Sequence, residues 1–449
     1  MTGKRHITIR SVLFLLALIL PASAQDRYLV RVHGSAAGNF ARNHGLTLLS
    51  SPADPNYPKV GTLSPLGGSV QDLYLMTLSS VGSEDAIRSI GNDPAVQQVE
   101  RDQRVALPKA ASSTGAHSSV PKAQSASSLP AYALYYGSLT WSPYLNQPAS
   151  DIVNIPRAHR ISTGAGTVAF LDTGVDFTHP ALASSLNMGW DFTNNVVGGA
   201  ESPSLNQSTT SILDSDAMLV LNQSTTSILD QSTTSILDGT HVKHAYGHGT
   251  MIAGIIHLVA PTARLMPVKV FGNDGTSSLS LILSGLYWAV DHGAKVINMS
   301  FSMTDYSQEF ANALNYANSK RVICVASVGN DGKQVTLFPA GYSHTMGIAS
   351  TNNNDKRSAF SNYGDSVVTV AAPGEGIISA YPGNHYAAGW GTSFSAPFVS
   401  GAAALFVQLT GNIDESHAEK AAQQADDVGQ GLGAGRLDLS QACSYQASR

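Results

Sequence analysis

Val168-Ala169-Phe170-Leu171-Asp172-Thr173-Gly174 puts four apolar residues directly before an acid and a turn. The run does not alternate, so both faces are apolar, as in a parallel strand covered by helices on each side. Working outward, Val296-Ile297-Asn298-Met299, residues 322–328 and residues 367–371 have the same character. Between them, helical patterns occupy 279–292, 308–318 and 397–409. Strands alternating with helices predict a three-layer, doubly wound α/β domain with a mainly parallel sheet over residues 141–449.

Upstream the pattern changes. Tyr28-Leu29-Val30-Arg31-Val32 and Leu73-Tyr74-Leu75-Met76-Thr77-Leu78 alternate as half-buried strands. A helical stretch at 84–90 and a further strand at 96–100 complete a small α+β unit over 25–107. Residues 108–130 are rich in Ala, Ser, Lys and Pro and cannot form a core, so 108–140 is predicted to be a flexible, protease-accessible linker. At the start, Lys4, Arg5 and Arg10 precede the apolar run 12–20 and Ala22-Ser23-Ala24. That is the layout of a signal peptide over 1–24, cleaved after Ala24. Nine apolar residues are too few for a bilayer, which needs about 20. The expectation is an exported protein, extracellular or periplasmic, with no membrane span.

Of 449 residues, 43% are hydrophobic and 13% charged, with a net charge of −5. This is enough apolar chain for two or three domains and argues against disorder. A mildly acidic chain without a Lys/Arg block is not expected to bind nucleic acid. Cys324 sits in an apolar run and Cys443 near the end, so a buried thiol and a tail thiol are expected rather than a bridge. One segment breaks the α/β pattern: LNQSTTSILD at 205–214 recurs at 221–230, and QSTTSILD follows at 231–238. The copies are too few and too short for a solenoid. They read as a tandem duplication in a surface loop, an insertion over 205–238.

Asp172, His248 in Gly247-His248-Gly249-Thr250 and Ser393 in Gly391-Thr392-Ser393 each have an ordinary reading as caps or packing residues. Together they have a chemical one. A serine hydroxyl is a weak nucleophile until a base takes its proton, and the base needs a third group to fix its tautomer. Asp172 at a strand's C-terminal end, with His248 and Ser393 at helix starts, would meet at one edge of a parallel sheet, where ligands gather. Ser393 offers its backbone N–H to a developing oxyanion, and Asn330, in Val328-Gly329-Asn330, offers a side-chain amide.

With Asp172-Thr173-Gly174-Val175-Asp176, Gly247-His248-Gly249-Thr250, Gly329-Asn330 and Gly391-Thr392-Ser393-Phe394-Ser395-Ala396-Pro397 in this order, the sequence resembles the subtilases, the subtilisin-type serine proteases. The resemblance implies a secreted serine endopeptidase acting through an acyl-enzyme: Asp172 orients, His248 is the base and then the acid, and Ser393 attacks. Asn330 and the Ser393 N–H would form the oxyanion hole. It also implies that 25–107, ending in Val96-Gln97-Gln98-Val99-Glu100-Arg101-Asp102, is an inhibitory propeptide, and that the zymogen cuts itself within 108–140. Gly275, Thr276 and Ser277 resemble the family's peptide-pairing edge, with Leu279 and Ile282 near a neighbouring subsite. Ser300, Phe301 and Ser302 resemble the other rim. Polypeptide substrates, the chain's own propeptide and a monomeric state are the expected partners.

The departures from the family pattern carry expectations of their own. Met251 replaces the usual second His, and Ser302 stands where Gly is usual. Ala181 follows His179-Pro180 where subtilisins carry a calcium-binding Asp, and the loop after Ile256 is too short for that site's carbonyls. Ca²⁺ needs about 6–8 oxygens, so that site is expected to be missing and no cofactor required. Another calcium site would have to draw on Asp191, Asp214, Asp216, Asp230 and Asp238. His248 lies 76 residues beyond Asp172, a wide gap that contains the repeats. An aspartic protease would need two Asp-Thr-Gly copies, and there is one. A catalytically dead binding protein on the same scaffold would fail to react at Ser393.

Overall fold

The computed structural model describes residues 26–33, 35–49, 62–67, 70–78, 83–107, 132–201, 219–220, 245–429 and 431–449. The predicted signal peptide, residues 108–131 of the linker and nearly all of the repeat insertion lie outside these residues.

The N-terminal unit runs β1 (Asp26–Val32), α1 (Ala37–Asn43), β2 (Thr47–Leu48), β3 (Thr62–Pro65), β4 (Leu73–Leu78), α2 (Ser83–Gly91) and β5 (Val96–Arg101). Its strands form one sheet in the order β2-β3-β4-β1-β5. Strand periodicity splits β1 between two neighbours. Tyr28, Val30 and Val32 pack with Phe40, Leu63, Met76 and Ile90 in the unit's own core. Leu29, with Leu73 of β4, is fully buried in a core shared with the larger domain. The strand β6 (Arg104–Ala106) then leaves the unit.

The second domain opens with a hairpin, β7 (Tyr132–Tyr135) and β8 (Ser138–Trp141), and three short helices, α3 (Ser142–Leu145), α4 (Pro148–Ile152) and α5 (Ile155–Ala158). From Tyr132 onward the segment expected to be flexible linker is therefore ordered. The paired strands and a hydrogen bond of 2.6 Å from the Tyr135 hydroxyl to the Leu258 carbonyl hold it to the domain. There follow β9 (Thr167–Asp172), β10 (Gly189–Asp191), β11 (Val196–Gly198), β12 (Leu219–Val220), α6 (His248–Val259), β13 (Arg264–Lys269), β14 (Thr276–Ser278), α7 (Leu279–Asp291) and β15 (Val296–Met299). The remainder is α8 (Gln308–Ser319), β16 (Ile323–Ser327), β17 (Met346–Thr351), β18 (Val370–Pro373), β19 (Ile377–Tyr381), β20 (His385–Gly389), α9 (Thr392–Thr410), α10 (Glu415–Ala422), β21 (Ala425–Asp426), β22 (Arg436–Leu437) and α11 (Leu439–Ala447).

Among the described residues the main sheet has ten strands, ordered β11-β10-β13-β9-β15-β16-β17-β18-β22-β21. It is parallel from β10 to β22 and antiparallel at each edge. α6 and α9 share a core on one face, and α7 and α8 share the other, which makes the predicted three layers. The chain goes from β9 to β13 on one side and later to β15 on the other, so β9 is the switch point where such sheets open a crevice.

Three sequence expectations need correction. The strand predicted over 367–371 begins at Val370, because the Val367 and Val368 N–H groups both turn back to the Gly364 carbonyl. The helix predicted from Pro397 begins at Thr392, with the proline inside it. Cys443 is not a tail thiol: like Cys324 it is free and fully buried, and burial pushes both thiols up to about 12. α9 is long and apolar enough to cross a membrane, but 89% of its most apolar window is buried inside the protein, as in a core helix.

Candidate active site

Asp172 ends β9, His248 begins α6 and Ser393 is the second residue of α9, so sheet topology alone brings the three to one edge. All are buried, and the His248 ring lies against Phe394, the residue after Ser393, with centroids 5.9 Å apart. His248 Nδ1 lies 2.6 Å from Asp172 Oδ1. A carboxylate oxygen accepts, so Nδ1 carries the proton and Nε2 is left as the basic nitrogen. The Thr173 N–H also donates to Asp172 Oδ1, at 2.8 Å. Asp172 thus shares its oxygen with His248 rather than a proton with a second carboxylate, the arrangement the aspartic-protease reading required.

Ser393 does not complete the chain in this conformation. Its hydroxyl donates to the Ser300 carbonyl at 3.2 Å, and His248 Nε2 has no hydrogen-bond partner among the described residues. Such links are often loose without substrate and tighten when it binds. The Ser300 hydroxyl donates in return to the Ser393 carbonyl at 2.9 Å. Pro397 explains this exchange. It has no N–H to offer the carbonyl four residues back, which is that of Ser393. Ser300 supplies the missing donor, and this lets α9 start five residues before the proline.

Asn330 lies beside Thr392, the residue before Ser393. Its Oδ1 accepts from the Thr392 N–H at 2.9 Å and the Thr392 hydroxyl at 2.8 Å, which turns Nδ2 the other way. Gly391 has φ 149°, and a Cβ there would come within 3.2 Å of Asn330 Nδ2, so the glycine keeps that amide uncovered. As the second residue of its helix, Ser393 has a backbone N–H with no partner within α9. The Asn330 loop rests on buried Asn362. The Asn362 side chain donates to the Val328 carbonyl at 3.0 Å and accepts from the Asp331 and Lys333 N–H groups at 3.0 and 3.1 Å.

The edge residues are occupied by the chain itself. β6 pairs antiparallel with β14, Ala106 opposite Thr276 and Val105 opposite Ser277, and the Leu107 N–H donates to the Gly275 carbonyl at 2.8 Å. Ala106 also bridges Ser302 on the opposite rim. Residues 104–107 therefore lie as an extended strand between the two predicted rims. The ring of Phe301 is fully buried against Phe271 and Phe310. Leu279 and Ile282 are fully buried too.

Around this strand the N-terminal unit grips α7 and α8. Asp102 accepts from the Ser280 N–H and hydroxyl at 2.8 and 2.9 Å and pairs with Arg27 at 2.8 Å. Glu100 accepts from the Ser307 hydroxyl and the Gln308 N–H. Each carboxylate meets a helix N-terminus, where the dipole favours negative charge. Burial nevertheless pushes both carboxyls up. Arg31 forks onto Glu309, whose side chain is wholly buried, and reaches Asp72 at 2.5 Å.

Residues 164–430 match the model of the subtilase family. The chain belongs to that family. This subtilase is 33% identical over 318 residues to thermitase from Thermoactinomyces vulgaris, a match covering 68% of the chain and 98% of the relative. It is 36% identical over 267 residues to subtilisin BL from Lederbergia lenta, covering 57% and 82%. Fervidolysin from Fervidobacterium pennivorans, a keratinolytic enzyme related to subtilisin, superposes with TM-score 0.64 at 20% identity over 94% of this chain and 61% of that one, which speaks to fold alone. The subtilase is accordingly a serine endopeptidase acting on polypeptides.

For the calcium question, Ala181 is buried in the core, and Asp191 is taken up by Thr193 and Asn194. Asp214, Asp216, Asp230 and Asp238 lie outside the described residues. The residues that sequence reasoning missed are Asn362, the donor role of Ser300, and a buried pair behind the site, Glu201 and Lys269. Glu201 stands alone in Gly198-Gly199-Ala200-Glu201, with no spacing to mark it.

Proposed function

We propose that Asp172, His248 and Ser393 are the catalytic triad of a secreted subtilase made as an autoprocessed zymogen. The observation that carries this is the Nδ1–Oδ1 hydrogen bond of 2.6 Å, with Ser393 at a helix N-terminus on the same sheet edge. His248 Nε2 takes the Ser393 proton as Oγ attacks the peptide carbonyl. Asp172 stabilises the imidazolium, and the oxyanion forms against Asn330 Nδ2 and the Ser393 N–H. The protonated His248 then donates to the leaving amine, and water repeats the cycle on the acyl-enzyme.

In this reading residues 25–107 are the propeptide and 108–140 holds the maturation cut. The extended strand at 104–107, paired on both rims, supports it, because a peptide substrate would add to the same edges by backbone hydrogen bonds. Gly275, Thr276, Ser277, Ser300 and Ser302 are then substrate-binding, and the enzyme works as an extracellular or periplasmic monomer that needs no metal. Intact masses of exported wild type and Ser393→Ala, purified identically, test the proposal. Loss of the N-terminal unit from wild type alone is the expected result, together with phosphonate labelling of wild type alone. A fully active Ser393→Ala protein would sink it.

A further inference from the structure

Immediately behind the Asp172–His248 pair lies a carboxylate that the proposed chemistry does not use. Glu201 is 6% exposed and follows the short backbone link between Val175 and Ala200 beyond β9. Its Oε1 accepts from the Thr173 hydroxyl at 2.6 Å and the Gly247 N–H at 2.7 Å, and its Oε2 from the Thr250 hydroxyl. Thr173 is the neighbour of Asp172, and Gly247 and Thr250 flank His248. The Thr173 hydroxyl also accepts from the Gly249 N–H at 3.0 Å. One carboxylate thus ties the end of β9 to the start of α6, the two elements whose spacing sets the distance between Asp172 and His248. The close approach is built in: a Cβ on Gly249 would fall 2.0 Å from the Gly174 carbonyl.

Resting on the triad reading above, we propose that Glu201 is a positioning residue for Asp172 and His248, and that its negative charge also favours the imidazolium formed during catalysis. Geometry and charge make separable contributions. Burial raises the Glu201 carboxyl to about 7, with Asp172 adding repulsion and Lys269, Thr173 and Thr250 opposing it. Lys269 is held by the Thr173 and Phe271 carbonyls and Asn273 Oδ1. The other titratable groups facing this carboxylate are Tyr246 and Tyr381, whose hydroxyls burial pushes far up, so both stay neutral through the working range. The charge on Glu201 is therefore present above pH 7 and fades below it.

Glu201→Gln keeps the shape, with the amide oxygen accepting from Thr173 and Gly247 and the Thr250 hydroxyl, which donates to the carboxylate, turning to accept from the amide nitrogen. Glu201→Ala removes both shape and charge. The experiment measures kcat and KM on a chromogenic peptide amide from pH 5 to 10, using processed wild type, Glu201→Gln and Glu201→Ala, with Ser393→Ala, each expressed as the full chain. The mutant-to-wild-type kcat ratio for Glu201→Gln should stay near one below pH 6 and drop by roughly fivefold above pH 8, with KM unchanged. Glu201→Ala should lose at least a further tenfold in kcat at every pH, or fail to mature, and Glu201→Gln should restore maturation. A ratio independent of pH, or an effect on KM alone, overturns the proposal. An active Ser393→Ala instead overturns the triad reading, so the two failures are distinguishable.

Discussion

At the scale of single residues, the site depends on groups that hold the reacting ones. Ser300 supplies the hydrogen bond that Pro397 cannot give, so Ser300→Ala should leave the buried Ser393 carbonyl unpaired. Expected costs are about 1–3 kcal/mol in urea unfolding and a lower kcat as the first turn of α9 loosens. Asn330→Ala should fold normally and lose about 10²–10³ in kcat with little change in KM, the loss established for removing such a donor from a subtilisin. Unaltered kcat in peptide-amide assays would exclude the oxyanion role. The motif residues Asp172, His248, Asn330 and Ser393 were legible because each carries its own chemistry within two residues of a glycine. Asn362 and Glu201 were not, because a buried polar residue in a loop is defined by what folds around it.

At the scale of elements, the docking of the N-terminal unit rests on a shared apolar core that includes Leu29 and Leu73, three charged contacts and one added strand. Arg31 is the contact with most at stake, since removing it strands Glu309 as a buried, unpaired charge. Arg31→Ala in a Ser393→Ala chain should weaken docking by about 3 kcal/mol or more. Hydrogen exchange at β6 and β14 should then rise together, and exchange in β15 and β16 should not. Unchanged protection of β14 would mean that the added strand and the shared apolar core hold the unit without Arg31. Most elements were legible from apolar runs, but β13 and β17 were not. Pro267 interrupts β13 between Arg264 and Lys269, and β17 is built of small residues, Gly347, Ala349 and Ser350. Each becomes a central strand because its neighbours supply both ladders.

For the whole molecule, two buried groups at the two ends of α6 set opposing pH dependences. Glu201 is raised to about 7 from an ordinary 4.5, so its contribution to stability is complete below pH 4.5 and is lost as pH rises through 7. His257 is lowered to about 4 from 6.5, so its contribution is complete above pH 6.5 and is lost as pH falls through 4. In a Ser393→Ala background, which prevents self-digestion, Glu201→Gln should raise Tm at pH 8 and leave it unchanged at pH 4. The gain should be at most on the order of 3 kcal/mol. Equal shifts at both pH values would show that folding leaves the Glu201 carboxyl titrating as it does in the unfolded chain. Stability would thus rise where activity falls, the usual balance where a buried charge serves function. The sequence by itself determined the layers and pointed to the proposed triad, because apolar runs and the order of the Asp, His and Ser motifs are local facts. Tertiary structure alone decided that residues 104–107 lie across the rims, that Ser300 completes α9, and that Glu201 joins β9 to α6. Those contacts join residues far apart in the chain, and burial, which gives each its energetic weight, is a property of the packed molecule.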